Sequence, residues 1–178
     1  PHKLACTPFR NRTHSAMNLP KPFLEACERQ GHSPTEHCLF VNVAHQKLTH
    51  FNDLQTSILT ISTAANGTGQ MKGSFQTPLG LHRVFKKIGN GEPIGTVFKG
   101  RRPVRRDGNG NPTALITHRI LWLQGLEPNL NRGGAVDSQE RYIYIHGVGD
   151  ESRLGQPHSK GCIHLGAKDL IPLFDTVP

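Results

Sequence analysis

Between residues 141 and 165 the chain reads Arg-Tyr-Ile-Tyr-Ile-His-Gly-Val-Gly, a polar loop, and then Ser-Lys-Gly-Cys-Ile-His-Leu. No other stretch limits the fold as much. Tyr142 to Ile145 are aromatic or β-branched, which predicts a strand. That strand should deliver His146 and break at Gly147. The loop that follows is punctuated by Gly149, Gly155 and Pro157, and is long enough to fold back. It returns at Ser159-Lys160-Gly161-Cys162, where Gly161 permits a sharp turn beside the thiol. A histidine at a strand end thus meets a cysteine at a tight turn.

That pair has a definite chemistry. An imidazole can take a thiol proton or, as imidazolium, stabilise the thiolate. The imidazole needs an acceptor on its other nitrogen to fix its orientation. Backbone N–H groups at a Gly-Cys turn suit a developing oxyanion. The expected reaction is acyl transfer through a thioester, with Cys162 as nucleophile and His146 as base. Gly161 and Cys162 N–H groups are the oxyanion candidates, and Ser159 is expected to brace the loop. His158, Lys160 and His164 are candidates for contacting a substrate carboxylate. Tyr144 and Trp122 read as packing residues.

These residues resemble a known family. His146-Gly147 followed by Ser159-x-Gly161-Cys162-Ile163 is similar to the signature of L,D-transpeptidase (YkuD-type) catalytic domains of bacterial cell-wall enzymes. Thr77-Pro78-Leu79-Gly80 resembles the T-P-x-G turn of that family. Val41-Asn42-Val43 with Gln46-Lys47-Leu48 resembles its opening strand. The resemblance runs from about Leu39 to the C-terminus. Two positions depart from the pattern: Lys160 stands where the family has His, and His164 where it has Arg or Asn.

The resemblance implies a mainly β domain, a β-sandwich or barrel-like fold with a few short peripheral helices. It implies peptidoglycan stem peptides as partners, a donor tetrapeptide and an amine acceptor, with D-alanine leaving. Gly147 holds the position whose backbone carbonyl orients the histidine in this family. The alternatives are a hydrolase of the same bonds and a non-catalytic basic wall-binding module. Neither a metal nor an organic cofactor is expected, because nucleophile, base and oxyanion donors suffice. The expected location is the periplasm or cell envelope, and the expected state is a monomer.

Composition agrees where it speaks. A chain of 178 residues with 19 Gly and 13 Pro suits many short strands around one core. The division read from the sequence is an N-terminal extension, residues 1–38, with a short helix packed on a catalytic domain, residues 39–178. No apolar run is long enough to cross a membrane as a helix. Pro1-His2-Lys3 starts no signal peptide, and a chain beginning without Met is expected to have had a preceding segment. The net charge of +8 admits an acidic polymer as partner. No zinc finger, basic zipper or RNP-type motif is present, so nucleic acid is not an expected partner.

Of the four cysteines, Cys162 must stay free to react. Cys27 with Cys38, or Cys6 with either, admits a disulfide, and buried reduced thiols are the other reading. His32, His37 and Cys38 match no standard zinc spacing.

Along the chain, residues 1–20 read as a loose extension and Pro22 to Gly31 as a helix. Strands are expected over Leu39–Phe51 (a hairpin turning near His45-Gln46), Ser57–Ala64, Leu81–Ile88, Thr96–Lys99 and Ala114–Gln124. Arg101 to Arg106, running into residues 107–112, reads as a solvated basic loop. Ala167 to Phe174 reads as a helix interrupted or capped near Pro172.

Overall fold

The computed structural model describes residues 18–104 and 116–178. Residues 1–17 of the N-terminal extension, with Cys6, and residues 105–115, with Arg105, Arg106, the loop expected over 107–112, Ala114 and Leu115, lie outside the described residues.

Pro22 sits in the first turn of helix α1 (Lys21–Arg29), which ends before Gly31 at φ +64°. Alternation of side chains then builds β1 (His37–Asn42) and β2 (Lys47–Asn52), an antiparallel hairpin turning through residues 43–46. Next come β3 (Thr56–Ser62), β4 (His82–Ile88), β5 (Val97–Lys99), β6 (Arg102–Val104) and β7 (Thr117–Gly125). A 3-10 turn at Gly134–Val136 precedes β8 (Tyr144–Gly147), β9 (Ile163–Leu165) and helix α2 (Ala167–Thr176).

The fold is mainly β. One nine-stranded mixed sheet runs β1-β2-β3-β9-β8-β7-β5-β6, and β4 also pairs with β7. Every pairing is antiparallel except β8 with β9. Parallel neighbours need a long connection. Here residues 148–162 supply it, and backbone bonds sew that loop to β3. Gly155 N–H donates to the Ile61 carbonyl at 2.9 Å, and His158 and Ser159 N–H groups donate to the Thr63 carbonyl at 2.8 and 2.9 Å.

Side-chain alternation divides the central strands between two faces. Ile145, Ile163, Leu165, Ile61 and Leu121 form one face, and Leu170, Leu173 and Phe174 of α2 cover it. Each such side chain, fully buried, contributes about 1.5–3 kcal/mol. Tyr144, His146 and Ile120 face the other way, with Phe98, Trp122 and Cys162 packed around Tyr144.

Two local expectations need correction. The strand carrying His146 begins at Tyr144, not Tyr142, and continues through Gly147. Tyr142 has φ +56° and lies in a turn, its N–H bonded to the Gln139 carbonyl at 3.1 Å. Helix α2 runs straight through Pro172 to Thr176. Pro172 is exposed, so the Lys168 carbonyl it leaves without an intrahelical donor lies on the solvent side. From the preceding loop, Glu151 Oε1 accepts the Ala167 N–H at 2.7 Å, placing a carboxylate at the helix N-terminus.

Cys27 and Cys38 are buried free thiols, so the reduced alternative holds for that pair. Cys27 lies where α1 packs on Leu81. His37 stacks on His50, with Nδ1 and Nε2 3.0 Å apart.

Candidate active site

Parallel register brings the site together. His146 is the Cα partner of His164, and Ile145 of Ile163. One step earlier, Cys162 stands beside Tyr144. Residues two apart on a strand share a face, so Cys162, Tyr144, His146 and His164 all project from the side opposite α2. His146 and Cys162 are diagonal neighbours across this pair.

His146 is 2% exposed. Its Nδ1 lies 2.7 Å from the Gly147 carbonyl. A carbonyl only accepts, so Nδ1 carries the proton and Nε2 is left with a lone pair. The ring is flanked by Tyr144, at 6.3 Å between centroids, and by His164 at 4.8 Å. Burial pushes His146 down to about 4, against the bond to Gly147. Burial and the neighbouring His146 push His164 down to about 3. Both imidazoles are neutral at pH 7.

Cys162 is partly exposed. Its thiol donates to the Tyr142 carbonyl at 3.4 Å, not to His146. Burial pushes this thiol up to about 11, while the Tyr144 backbone N–H and the Arg141 charge pull the other way. At rest the thiol and the imidazole are therefore both neutral.

The turn before the thiol is internally braced. Gly161 has φ +124°, and a Cβ there would sit 3.3 Å from both the Gln76 carbonyl oxygen and Ile143 Cδ1. Only glycine suits that backbone. Ser159, 4% exposed, donates from Oγ to the Cys162 carbonyl at 2.5 Å and accepts the Gly161 N–H at 3.2 Å. The Gly161 N–H is thus occupied at rest. Ser159→Ala would leave both partners unsatisfied. We expect a loss of about 2 kcal/mol in chemical denaturation, with altered alkylation of Cys162. An unchanged denaturation midpoint would contradict this bracing.

The remaining candidates are placed differently. His158 is exposed and joins the site only through its electrostatic effect on His164. Lys160 is exposed on the rim of an open cavity of about 710 Å³, with Lys72, Phe75, Trp122, Arg141 and Tyr142 among its walls. Thr77 of the T-P-x-G turn is buried, and its Oγ1 accepts the Ala64 N–H at 2.9 Å. That bond holds the turn against the end of β3.

Two arginines here were not anticipated. Arg101, from the run expected to be solvated, lies 4.7 Å over each of the Trp122 and Tyr142 rings. Its Nη1 donates to the Tyr144 hydroxyl at 3.2 Å. Stacking of a guanidinium on two rings outweighs its preference for water. Arg141 reaches backbone carbonyls of the 69–76 segment. Its place directly before the Tyr142 stretch was the only signal for it.

Comparison with known proteins gives the family. Residues 36–178 match the YkuD family model, described as an L,D-transpeptidase catalytic domain. No curated protein matches the chain significantly. Among solved structures, an L,D-transpeptidase from Mycobacterium smegmatis is similar at 17% identity and a TM-score of 0.45, over 82% of this chain and 56% of that one. L,D-transpeptidase 3 from Mycobacterium tuberculosis, solved with a faropenem-derived adduct, is similar at 13% identity and a TM-score of 0.48, over 82% and 58%. Bd1075 from Bdellovibrio bacteriovorus is similar at 17% identity and 0.46, over 81% and 45%. The chain spans only about half the length of these proteins.

Proposed function

Because the chain belongs to the YkuD family of L,D-transpeptidase catalytic domains, we propose that it transfers acyl groups between peptidoglycan stem peptides through a thioester on Cys162. The observation that carries this reading is the fixed tautomer of His146, whose Nδ1–H is held by the Gly147 carbonyl on the sheet face that also bears Cys162.

The chemistry follows from those atoms. The Cys162 proton passes to His146 Nε2. The thiolate attacks the carbonyl between an L-centre and the terminal D-residue of a tetrapeptide stem. Backbone N–H groups at Gly161 and Cys162 receive the developing oxyanion. For Gly161 this requires exchanging its bond to Ser159 Oγ. The imidazolium then protonates the departing D-alanine amine, leaving an acyl thioester. An acceptor amine attacks the thioester and gives its proton to His146, and the sulfur leaves as thiolate. That thiolate recovers the proton and the resting thiol returns. With water in place of the amine, the same steps give hydrolysis.

The expected location is the cell envelope, where such stems occur. No described helix is long and apolar enough to cross a membrane.

Intact-mass spectrometry tests the reading. The protein is mixed with purified tetrapeptide stem, with and without a diamino acceptor. The expected result is an adduct on Cys162 with loss of D-alanine, passed on to the acceptor, and no adduct on folded Cys162→Ala. An adduct released only to water would make the chain a hydrolase. No adduct on folded protein with a free thiol would overturn the enzyme reading in favour of a wall-binding module.

A further inference from the structure

Arg141 has no part in the chemistry above. Its guanidinium is partly buried and donates from Nη1 to the carbonyls of Gly69 at 3.2 Å and Gln70 at 2.8 Å, and from Nη2 to that of Gln76 at 2.7 Å. All three acceptors are neutral. The ion pairs among the described residues are Lys21–Glu25 and His118–Glu151, so no described carboxylate pairs with this cation. A partly buried charge without a counter-ion is costly to keep.

Its surroundings indicate what it serves. The Gln76 carbonyl that accepts from Arg141 also abuts Gly161, only 3.3 Å from where a Cβ would stand. Gly161 immediately precedes the thiol. Tyr142, next in chain after Arg141, supplies the carbonyl that receives the Cys162 S–H at 3.4 Å. The guanidinium therefore joins the 69–76 segment to the reactive turn.

We propose that Arg141 is a positioning residue of the site, clamping the Gln76 segment against the Gly161–Cys162 turn and serving as standing counter-ion for the Cys162 thiolate. When the S–H bond breaks, its proton goes to His146 Nε2 and the negative charge stays on Sγ. Arg141 is already held by three carbonyls, so no reorganisation is needed to meet that charge. Its field opposes the effect of burial on the thiol, and the thiol acts reciprocally on the guanidinium. The other ionisable groups around the thiol are Tyr144, His146 and His164. Those sharing the cavity wall with Arg141 are Lys72, Asp137, Glu140, Tyr142 and Lys160, and His82 feels its charge from β4.

The inference rests on Cys162 being the reacting thiol, and its test needs no peptide. The full chain is alkylated with iodoacetamide from about pH 6 to about pH 11, and modification of Cys162 is followed by peptide mass. For folded Arg141→Met the rate profile is expected to move up by about one pH unit, about tenfold slower near neutrality. Arg141→Lys, which keeps the charge but not the fork of donors, is expected to fall between wild type and Arg141→Met. A folded Arg141→Met whose profile superimposes on wild type overturns the proposal. Should Arg141→Met fail to fold, Arg141→Gln, which keeps an amide donor without the charge, decides: the same upward movement of about one pH unit supports the counter-ion, and a wild-type profile refutes it. If the stem peptide proves unreactive while the profile still moves, the peptidoglycan reading falls and this one stands.

Discussion

Replacing His146 by glutamine is expected to slow thioester formation on Cys162 by about a thousandfold, within the usual range for a general base. It should also make the protein less sensitive to mild acid. The first effect follows from the resting state. A thiol raised to about 11 beside an imidazole lowered to about 4 holds almost no ion pair at pH 7. Thiolate then forms only as substrate engages and the proton moves to Nε2. The glutamine amide can still donate to the Gly147 carbonyl, but it offers no basic nitrogen.

The second effect has a defined sign. His146 binds a proton more weakly folded than unfolded, because burial opposes its charge. Its contribution to stability is therefore complete above about pH 6.5, declines as pH falls towards 4, and is flat below. The full difference is about 3 kcal/mol, by the free energy that corresponds to each pH unit. His164, lowered to about 3, extends the same loss to more acid conditions. Urea denaturation of wild type and His146→Gln at several pH values measures it. The two stability curves should converge as pH falls from 6.5 to 4. Parallel curves, or an unchanged rate of adduct formation, would remove His146 from the role of buried neutral base.

What the sequence reveals of this architecture depends on how local the cause is. The β1–β2 hairpin was legible because alternation from Leu39 to Phe51 and a turn at His45-Gln46 specify it without outside help. Gly161 was legible because only glycine suits a turn at that φ. The start of β8 was not. Tyr142 has strand propensity, but Arg101 stacks on its ring and that ring lies against Trp122, contacts with no local signature. The parallel β8–β9 pairing was equally hidden. β9 is only three residues long, and bonds from residues 155–159 to Ile61 and Thr63 decide its place. Arg101 read as surface charge and Arg141 carried no reading of its own, since a guanidinium's acceptors or ring partners emerge only once distant segments meet.

Gly147→Ala is expected to be the most damaging single-methyl change near the site. The backbone there does not demand glycine, since Gly147 is not among the residues with positive φ. Space does. A Cβ at this position would lie 2.3 Å from His118 Cδ2, 2.8 Å from the Thr117 carbonyl oxygen and 3.0 Å from Thr117 Oγ1. Thr117 is the register partner of Gly147 across β7, and the bulge between Thr117 and Ile120 swings His118 over the glycine. His118 cannot easily withdraw, because its Nδ1 accepts the Gly95 N–H at 2.8 Å. The Thr117 carbonyl is backbone and can only move with the strand. Overpacking of this kind costs about 3 kcal/mol, or roughly 6–12 °C in Tm for a chain of this size. The damage should also reach the chemistry. Any displacement of Gly147 carries its carbonyl away from His146 Nδ1, and the imidazole loses its orientation. Adduct formation on Cys162 should therefore fall even well below the melting temperature. Pairing it with His118→Ala separates the two obstacles. Removing the ring should recover part of the Tm and leave the cost of the Thr117 carbonyl, a non-additive coupling characteristic of residues in contact. A Gly147→Ala protein with wild-type Tm and rate would mean that β7 and β8 do not meet in this register.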